Sequence, residues 1–338
     1  MLNGVLVIVM LMRDQTVQLP AVEQELVHSI KEKTSIYNRD NISRTNAYYD
    51  FYKRHPEIRW SFLAHMVSRN AGWNMCDLKG KWLPKVLNKK QTNRLFLTYE
   101  RANWYIFHDA FPQLLLYHYS TKNERPMFHL LKYFHVSSFM KDEWNIFWTE
   151  KDQERLMAAL IINEQNVIQK PVIQHPLYKK RVFHSLLFSF QDCLHFSSVL
   201  FPTVTGKLYG ASVNQFRSVN HRIDLGKRLA SILFHHELYP LFLQFAENTY
   251  HTGSRTDYEQ YFPKETGNKT PLLREVYPVI KHHVHNRNDW LHDRKVKGNW
   301  FTDKVVHRHP VILTDWYNKK QKRLHRLILL KELIYPYK

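Results

Sequence analysis

The side chains best suited to chemistry lie between residues 54 and 82. Helical spacing places Glu57, His65 and Arg69 on one narrow arc of a predicted helix, together with two serines. Asn74 and Asp77 follow in the next turn of chain. An acid, an imidazole and a guanidinium on one strip can line a polar cleft, but the same spacing is typical of a helix's one solvated face. Both interpretations are open at this point.

A further candidate acid lies on the helix predicted after Thr92. Glu100 and Asn103 are spaced i and i+3, and both project toward Phe96 and Phe107. A carboxyl group among phenylalanines has a raised pKa, as a general acid or base near neutrality requires. The alternative is that Glu100 pairs with a lysine or arginine from elsewhere. The candidate catalytic residues are therefore Glu57, His65, Arg69, Asn74, Asp77 and Glu100.

Two segments are candidates for binding anions. In residues 251–262, Ser254 is predicted to cap a short helix, and an arginine beside a helix N-terminus suits an anion; ordinary capping is the alternative. The last 58 residues, 281–338, contain 14 Lys+Arg, 5 Asp+Glu and 7 His. The candidate anion-binding residues are His251, Arg255, Arg294, Lys295, Lys297, Lys319, Lys320, Lys322 and Arg323.

The overall charge indicates the class of partner. The formal net charge is +19, which favours nucleic acid, anionic lipid headgroups or acidic proteins. Cations alternate with aromatic rings in a pattern that a single nucleic-acid strand can use: Arg287, Trp290, Arg294, Lys295, Lys297, Trp300 and Lys304. The terminal helix, 315–335, is basic first and apolar later. We expect its later part to dock into the core while its earlier part faces solvent or a polyanion.

No common catalytic or cofactor motif occurs: there is no Walker loop, GxGxxG, GxSxG, HExxH or EF-hand. Histidines cluster at 235–237, 282–285 and 307–309, but ligands from several elements would have to converge to hold a metal. Metal and cofactor therefore stay unknown. Cys76 and Cys193 are 117 positions apart, which excludes a disulfide framework and fits a reducing compartment.

The composition predicts the elements that must position these residues. Nine glycines in 338 residues are too few for a chain rich in hairpins, while 44% hydrophobic residues indicate a large core. We predict a mainly α fold, an irregular multi-helix bundle with few or no strands. Residues 182–190 fit a buried strand or a buried helix, and 82–91 and 204–218 are predicted loops. The predicted helices are 20–37, 41–54, 56–70, 93–109, two within 141–170, 219–234, 241–250 and 315–335.

The chain is predicted to contain an N-terminal tail (1–20) and two helical subdomains (21–170 and 171–338), with one continuous domain as the alternative. The prolines within 169–176 mark the boundary. The apolar run at 5–12 is far shorter than the ~20 residues of a membrane span. It is either a translation artefact or a weak membrane-facing tail. We expect a cytoplasmic protein, with a peripheral position at the membrane as a variant.

Four segments resemble the YppC-type family of uncharacterised Bacillus proteins. They are RTNAYYDFYKRHPEIRWSFLAHMVSRNAGWNMCDLKG (44–80), YERANWYIFHDAFPQLLLY (99–117), DLGKRLASILF (224–234) and HTGSRTDYEQY (251–261). The resemblance runs over most of the chain. It implies a bacterial setting and carries over no activity, cofactor or site residue.

Three functions fit the sequence. The favoured one is binding of a polyanion through the basic C-terminal region, with nucleic acid ahead of an anionic membrane. The second is a hydrolase or lyase-like enzyme whose polar cleft is built from 55–77 and 100–103. This alternative predicts that its candidate residues converge in one cleft. The third is a structural or scaffolding role.

Overall fold

The computed structural model describes residues 19–175, 198–212, 216–263, 269–283, 288–302 and 312–334. The longer helices are α1 (Ala21–Tyr37), α2 (Asn41–Arg54), α3 (Arg59–Asp77), α4 (Lys89–Lys122), α5 (Ser138–Glu150), α6 (Gln153–Val167), α7 (Val219–Leu233) and α8 (Tyr239–Asn248). Three short helices follow, α9 (Thr256–Glu259), α10 (Leu273–Val276) and α11 (Asn299–Thr302), and then the long terminal helix α12 (Thr314–Ile334). Short 3-10 or π turns occur at Leu83–Lys85, Phe128–Phe134, Gln169–Ile173 and Trp290–His292.

Two strands complete this part of the chain. β1 (Ser198–Pro202) pairs antiparallel with β2 (Leu208–Ser212). The mainly α prediction is confirmed, whereas the loop predicted for 204–218 was wrong where β2 forms. A glycine makes this pairing possible, because a Cβ on Gly210 would lie 2.0 Å from the Val199 carbonyl oxygen. The predicted helix or strand at 182–190 lies outside the described residues.

The central helix is α3, which contacts α2, α4, α6, α7, α10 and β1. It starts three residues later than predicted and runs to Asp77, so the helix end predicted at residue 70, just before Gly72, was wrong. Gly72 instead permits a close approach: a Cβ there would lie 2.5 Å from Asn41 Oδ1 and 2.8 Å from the His251 ring. Because neighbours surround α3, its polar arc is buried, and the solvated-face interpretation was also wrong.

The helix that carries Glu100 is twice as long as predicted. α4 begins with a capping box in which Asn88 and Gln91 exchange hydrogen bonds, so Asn88 and not Thr92 is the cap. Pro112 lies inside the helix rather than ending it. A proline there removes one helix hydrogen bond at a cost of about 3 kcal/mol. Burial of the apolar residues after it, Leu114 to Tyr117, offsets this cost.

The terminal helix α12 forms as predicted but docks only in part. Leu324 and Ile328 are buried, whereas Leu327, Leu329 and Leu330 are 40%, 46% and 53% exposed. The prediction that the later, apolar part would dock into the core was therefore wrong for these three leucines. In the described part of the chain, no helix is both long and apolar enough to span a membrane. The subdomain boundary predicted at 169–176 stays a prediction.

Candidate functional site

One face of α3 forms a buried ion pair with the segment before α9. The Arg255 guanidinium donates from Nε to both Asp77 carboxylate oxygens at 2.8 Å and from Nη2 to Oδ2 at 2.6 Å. Its Nη2 also donates to Asn74 Oδ1 at 3.0 Å, and its Nη1 donates to the Tyr258 hydroxyl at 2.6 Å. Two candidate catalytic residues, Asn74 and Asp77, thus meet on one arginine that is 1% exposed.

His65 and Arg69 form a second contact one turn earlier on the same helix. Arg69 Nε donates to His65 Nε2 at 3.0 Å, and Arg69 Nη2 donates to the Thr249 carbonyl at 2.6 Å. His65 Nδ1 therefore carries the ring proton and donates it to the Thr45 carbonyl at 2.8 Å. Burial, followed by the Arg69 charge, holds the pKa of His65 well below its usual range. The imidazole is neutral, and its lone pair is already engaged.

His251 links three elements. Its Nδ1 lies 3.1 Å from Asp257 Oδ2, and its Nε2 lies 2.8 Å from Asn41 Oδ1. Trp73 Nε1 donates to the same Asp257 oxygen at 2.9 Å. Burial lowers the pKa of His251, and Asp257 opposes that shift. The ring is 0% exposed, so solvent does not reach it in this conformation.

This geometry argues against a bound anion at His251 and Arg255. Asp77, Asn74 and the Tyr258 hydroxyl surround the guanidinium, and His251 faces two oxygen acceptors. Ser254 does accept from the Thr256 N–H at 3.3 Å, but α9 is only four residues long. The contacts tie the 249–258 segment to α2 and α3, as an internal polar core would.

The other two candidate acids lie apart from this network. Arg44 Nη2 donates to Glu100 at 2.5 Å, which is the ion pairing weighed as an alternative. Burial alone would raise the pKa of Glu100, but Arg44 and His282 lower it below its usual range, so the raised pKa predicted for it was wrong. Glu57 accepts from the Tyr117 hydroxyl at 2.9 Å and lies 3.2 Å from His55. The candidate catalytic residues do not converge in one cleft.

The opposite side of α3 borders a cavity of about 230 Å³ that residues of α4, α6, α7 and β1 also line. Of the candidate catalytic residues, only Asn74 lines it; Asn103 of α4 does so as well. The wall is mostly aliphatic, including Leu63, Ala64, Val67, Ala71, Leu95, Ala102, Ile106, Ile168, Val172, Leu225 and Leu229. An enzyme cleft built from α3 and α4 would thus present amides, and not the predicted histidine and acids.

The sequence reading missed the acid that does line the cavity, Glu164 of α6. Gln165 Nε2 donates to its Oε1 at 2.9 Å. Burial raises the pKa of Glu164 from 4.5 to about 7. The available signal was a single acid inside the apolar run LMAALIINEQNVI. An unpaired acid in a buried helix is a candidate for a perturbed pKa.

We expect Glu164→Gln to change how stability depends on pH. The raised pKa stabilises the folded protein fully below about pH 4.5, and this contribution is lost as pH rises through about 7. Relative to wild type, the amide variant should therefore gain up to about 3 kcal/mol of unfolding free energy between about pH 4.5 and about pH 8. Urea unfolding at both pH values measures this. A stability difference that stays constant with pH would contradict the expectation.

Two basic segments that are distant in sequence meet on the surface. The Trp82 ring stacks on the His325 ring of α12, with centroids 3.9 Å apart and planes 17° from parallel. Burial and the nearby Lys81 charge lower the pKa of His325 to about 4, so this ring is neutral at pH 7. No acid occurs in 78–90 or in 316–331. We call the resulting surface the basic face: Lys79, Lys81, Lys85, Lys89, Lys90, Lys319, Lys320, Lys322, Arg323 and Arg326.

The aromatic half of the predicted nucleic-acid pattern is not available on the surface. Trp290 and Trp300 are 9% and 5% exposed, and their indole N–H groups donate to Asn163 and Asn220. Lys295 and Lys297 are exposed. Burial is the main cause that lowers the pKa of Arg222 on α7, and the positive charge of Arg294 lowers it further. Arg287 and Lys304 lie outside the described residues.

The histidine clusters give no metal centre in the described ranges, where no group of three His, Cys, Asp or Glu side chains could hold an ion. His235 and His236 stack on each other, and the His236 side chain is 83% exposed. The histidines at 285, 307 and 309 lie outside those ranges.

Comparison with known proteins decides the family. The family described as "Protein of unknown function (DUF2515)" matches residues 36–318. This chain belongs to the DUF2515 family. It is similar to the uncharacterized protein YppC of Bacillus subtilis (strain 168), with 48% identity over 310 residues that cover 91% of this chain and 96% of that protein. No solved structure matches. The resemblance to the YppC-type family is confirmed, and the DUF2515 description assigns no activity.

Proposed function

We propose that this DUF2515 protein binds peripherally to an anionic lipid surface through the basic face. The observation that carries the proposal is the stacking of Trp82 on His325, which joins the cations of 79–90 to those of α12. With a rise of 1.5 Å per residue, Lys319 lies roughly 9 Å along the helix axis from His325. The Lys81 charge acts on His325, so the two basic segments, neither of which contains an acid, adjoin at this stack. Polybasic surfaces of this kind are attracted to anionic membranes by about 1 kcal/mol per residue.

The exposed leucines favour lipid over other polyanions. At 100° per residue, Leu329 and Leu330 fall on the same outward arc of α12 as Lys322, Arg326 and Arg323. An apolar side chain that enters the headgroup region is removed from water. This removal stabilises the bound state by up to about 1.5–3 kcal/mol when burial is complete. A phosphate backbone offers leucine no comparable contact.

Nucleic acid is the competing partner, and the placement of the tryptophans argues against it. Base stacking supplies much of the affinity of proteins that bind single strands. Trp290 and Trp300 are buried, and one face of Trp82 is covered by His325. The two rings of the predicted cation–aromatic pattern are therefore not placed to stack on the bases of a single strand.

The test is to sediment the full-length protein with vesicles of phosphatidylcholine alone and with about one third phosphatidylglycerol. We expect binding only to the anionic vesicles, with affinity falling as salt rises. A parallel titration uses a single-stranded oligonucleotide at equal phosphate concentration. Leu329→Ser/Leu330→Ser should weaken vesicle binding by about tenfold or more and leave oligonucleotide binding unchanged. Equal binding to neutral vesicles, or tighter binding to the oligonucleotide, would overturn the proposal.

A further inference from the structure

The cavity beside α3 has an acidic side chain in its lining, Glu164 of α6, among mostly aliphatic neighbours. One oxygen of this carboxylate accepts from Gln165 Nε2 at 2.9 Å. A polar group in an otherwise apolar pocket fixes the orientation of a ligand, so Glu164 is the group that the polar end of a ligand would contact.

The charges around the cavity limit the ligand. Glu164 supplies a carboxyl group to the wall. The cation in the wall, Arg222, is already engaged: it donates to Gln165 Oε1 at 2.8 Å, to Gln169 Oε1 at 2.6 Å and to the Phe216 carbonyl at 2.8 Å. A ligand carboxylate would meet Glu164 without a free cation, whereas a hydroxyl or amine can donate to it.

The remaining wall sets the size and the apolar character of the ligand. Apolar cavities of ~150 Å³ hold benzene, so about 230 Å³ holds on the order of ten non-hydrogen atoms. The aliphatic side chains from α3, α4 and α7 favour a hydrocarbon body.

We propose that this cavity binds a small amphiphile of about ten non-hydrogen atoms, with an apolar body and an alcohol or amine head that contacts Glu164. The site is separate from the basic face, because none of the ten basic-face residues lines the cavity. The ligand would be recognised by its hydrogen-bond-donor head and rejected when that head is a carboxylate.

Isothermal titration with three probes of one chain length tests the proposal: n-octanol, n-octylamine and n-octanoate, at about pH 8. We expect saturable binding at one site for the alcohol and the amine, and at least tenfold weaker binding of octanoate. Glu164→Gln should reduce this discrimination to less than threefold. Its matched control is Glu154→Gln, the same change on the same helix at a side chain that is 77% exposed.

A second variant tests the location. Ala102→Leu adds bulk to the cavity wall and should abolish binding of the alcohol and the amine, while circular dichroism reports whether the fold is kept. Absence of saturable binding for all three probes would overturn the proposal. So would octanoate binding as tightly as octanol, or folded Ala102→Leu protein that binds with unchanged affinity.

Discussion

Replacing Arg255 by methionine is expected to lower the free energy of unfolding by about 3–5 kcal/mol. Asp77 would remain in the interior without its cation, and Asn74 and Tyr258 would lose a donor. Burial already raises the pKa of Asp77, and Arg255 is the group that opposes this shift. Urea unfolding near pH 7 measures the change, since the Asp77 carboxylate is costly to bury there.

Two controls separate the buried charge from lost packing. Arg59→Met removes a partly exposed arginine that pairs with Glu154, whose side chain is 77% exposed, and should cost no more than about 1 kcal/mol. Arg255→Met/Asp77→Leu removes both charges and should be more stable than Arg255→Met alone. Two results would contradict this expectation. Either Arg255→Met lowers the free energy of unfolding no more than Arg59→Met does, or the double variant is less stable than Arg255→Met alone. In both cases the buried ion pair would not stabilise the fold as its geometry implies.

Reversing two cations on α12 is expected to have the largest effect on binding. Lys322→Glu/Arg323→Glu removes two attractive charges and adds two repulsive ones on an exposed helix face. At about 1 kcal/mol per charge near an anionic surface, the loss is about 4 kcal/mol, or roughly a thousandfold in affinity. The partition coefficient on anionic vesicles at low salt measures it. Both side chains are exposed, so the fold should be kept.

Lys295→Glu/Lys297→Glu is the matched control for this change. It alters the net charge equally at two exposed lysines outside the basic face. We expect at most about a tenfold loss, from the weaker long-range field alone. Equal losses in the two double variants would mean that net charge, and not the basic face, determines binding.

The helices were predictable where local signals define them. Asp40 caps α2 through the Ser43 N–H, and Asp152 caps α6 through the Arg155 N–H, as expected from residues that favour the N-cap. Gly72 and Pro112 misled the prediction because tertiary contacts outweigh their local preferences. Gly72 permits the close approach of His251 and Asn41 to α3. Pro112 lies inside α4, where burial of the neighbouring apolar side chains stabilises the helix.

The sites depend on partners that sequence spacing does not reveal. Arg255 is 178 positions from Asp77, and Trp82 is 243 positions from His325, so neither pairing follows from periodicity. The sequence did locate the candidate side chains of α3 and identify α12 as basic. It could not show that the polar arc of α3 closes on internal partners, because a buried and a solvated strip have the same spacing.

The most direct test of the basic face is hydrogen–deuterium exchange of the unmodified protein with and without anionic vesicles. The account predicts slower exchange in both 79–90 and 316–330 when anionic lipid is present, and no change with phosphatidylcholine alone. Joint protection is expected because Trp82 and His325 hold the two segments together. Protection confined to other segments, or equal protection by neutral vesicles, would contradict it.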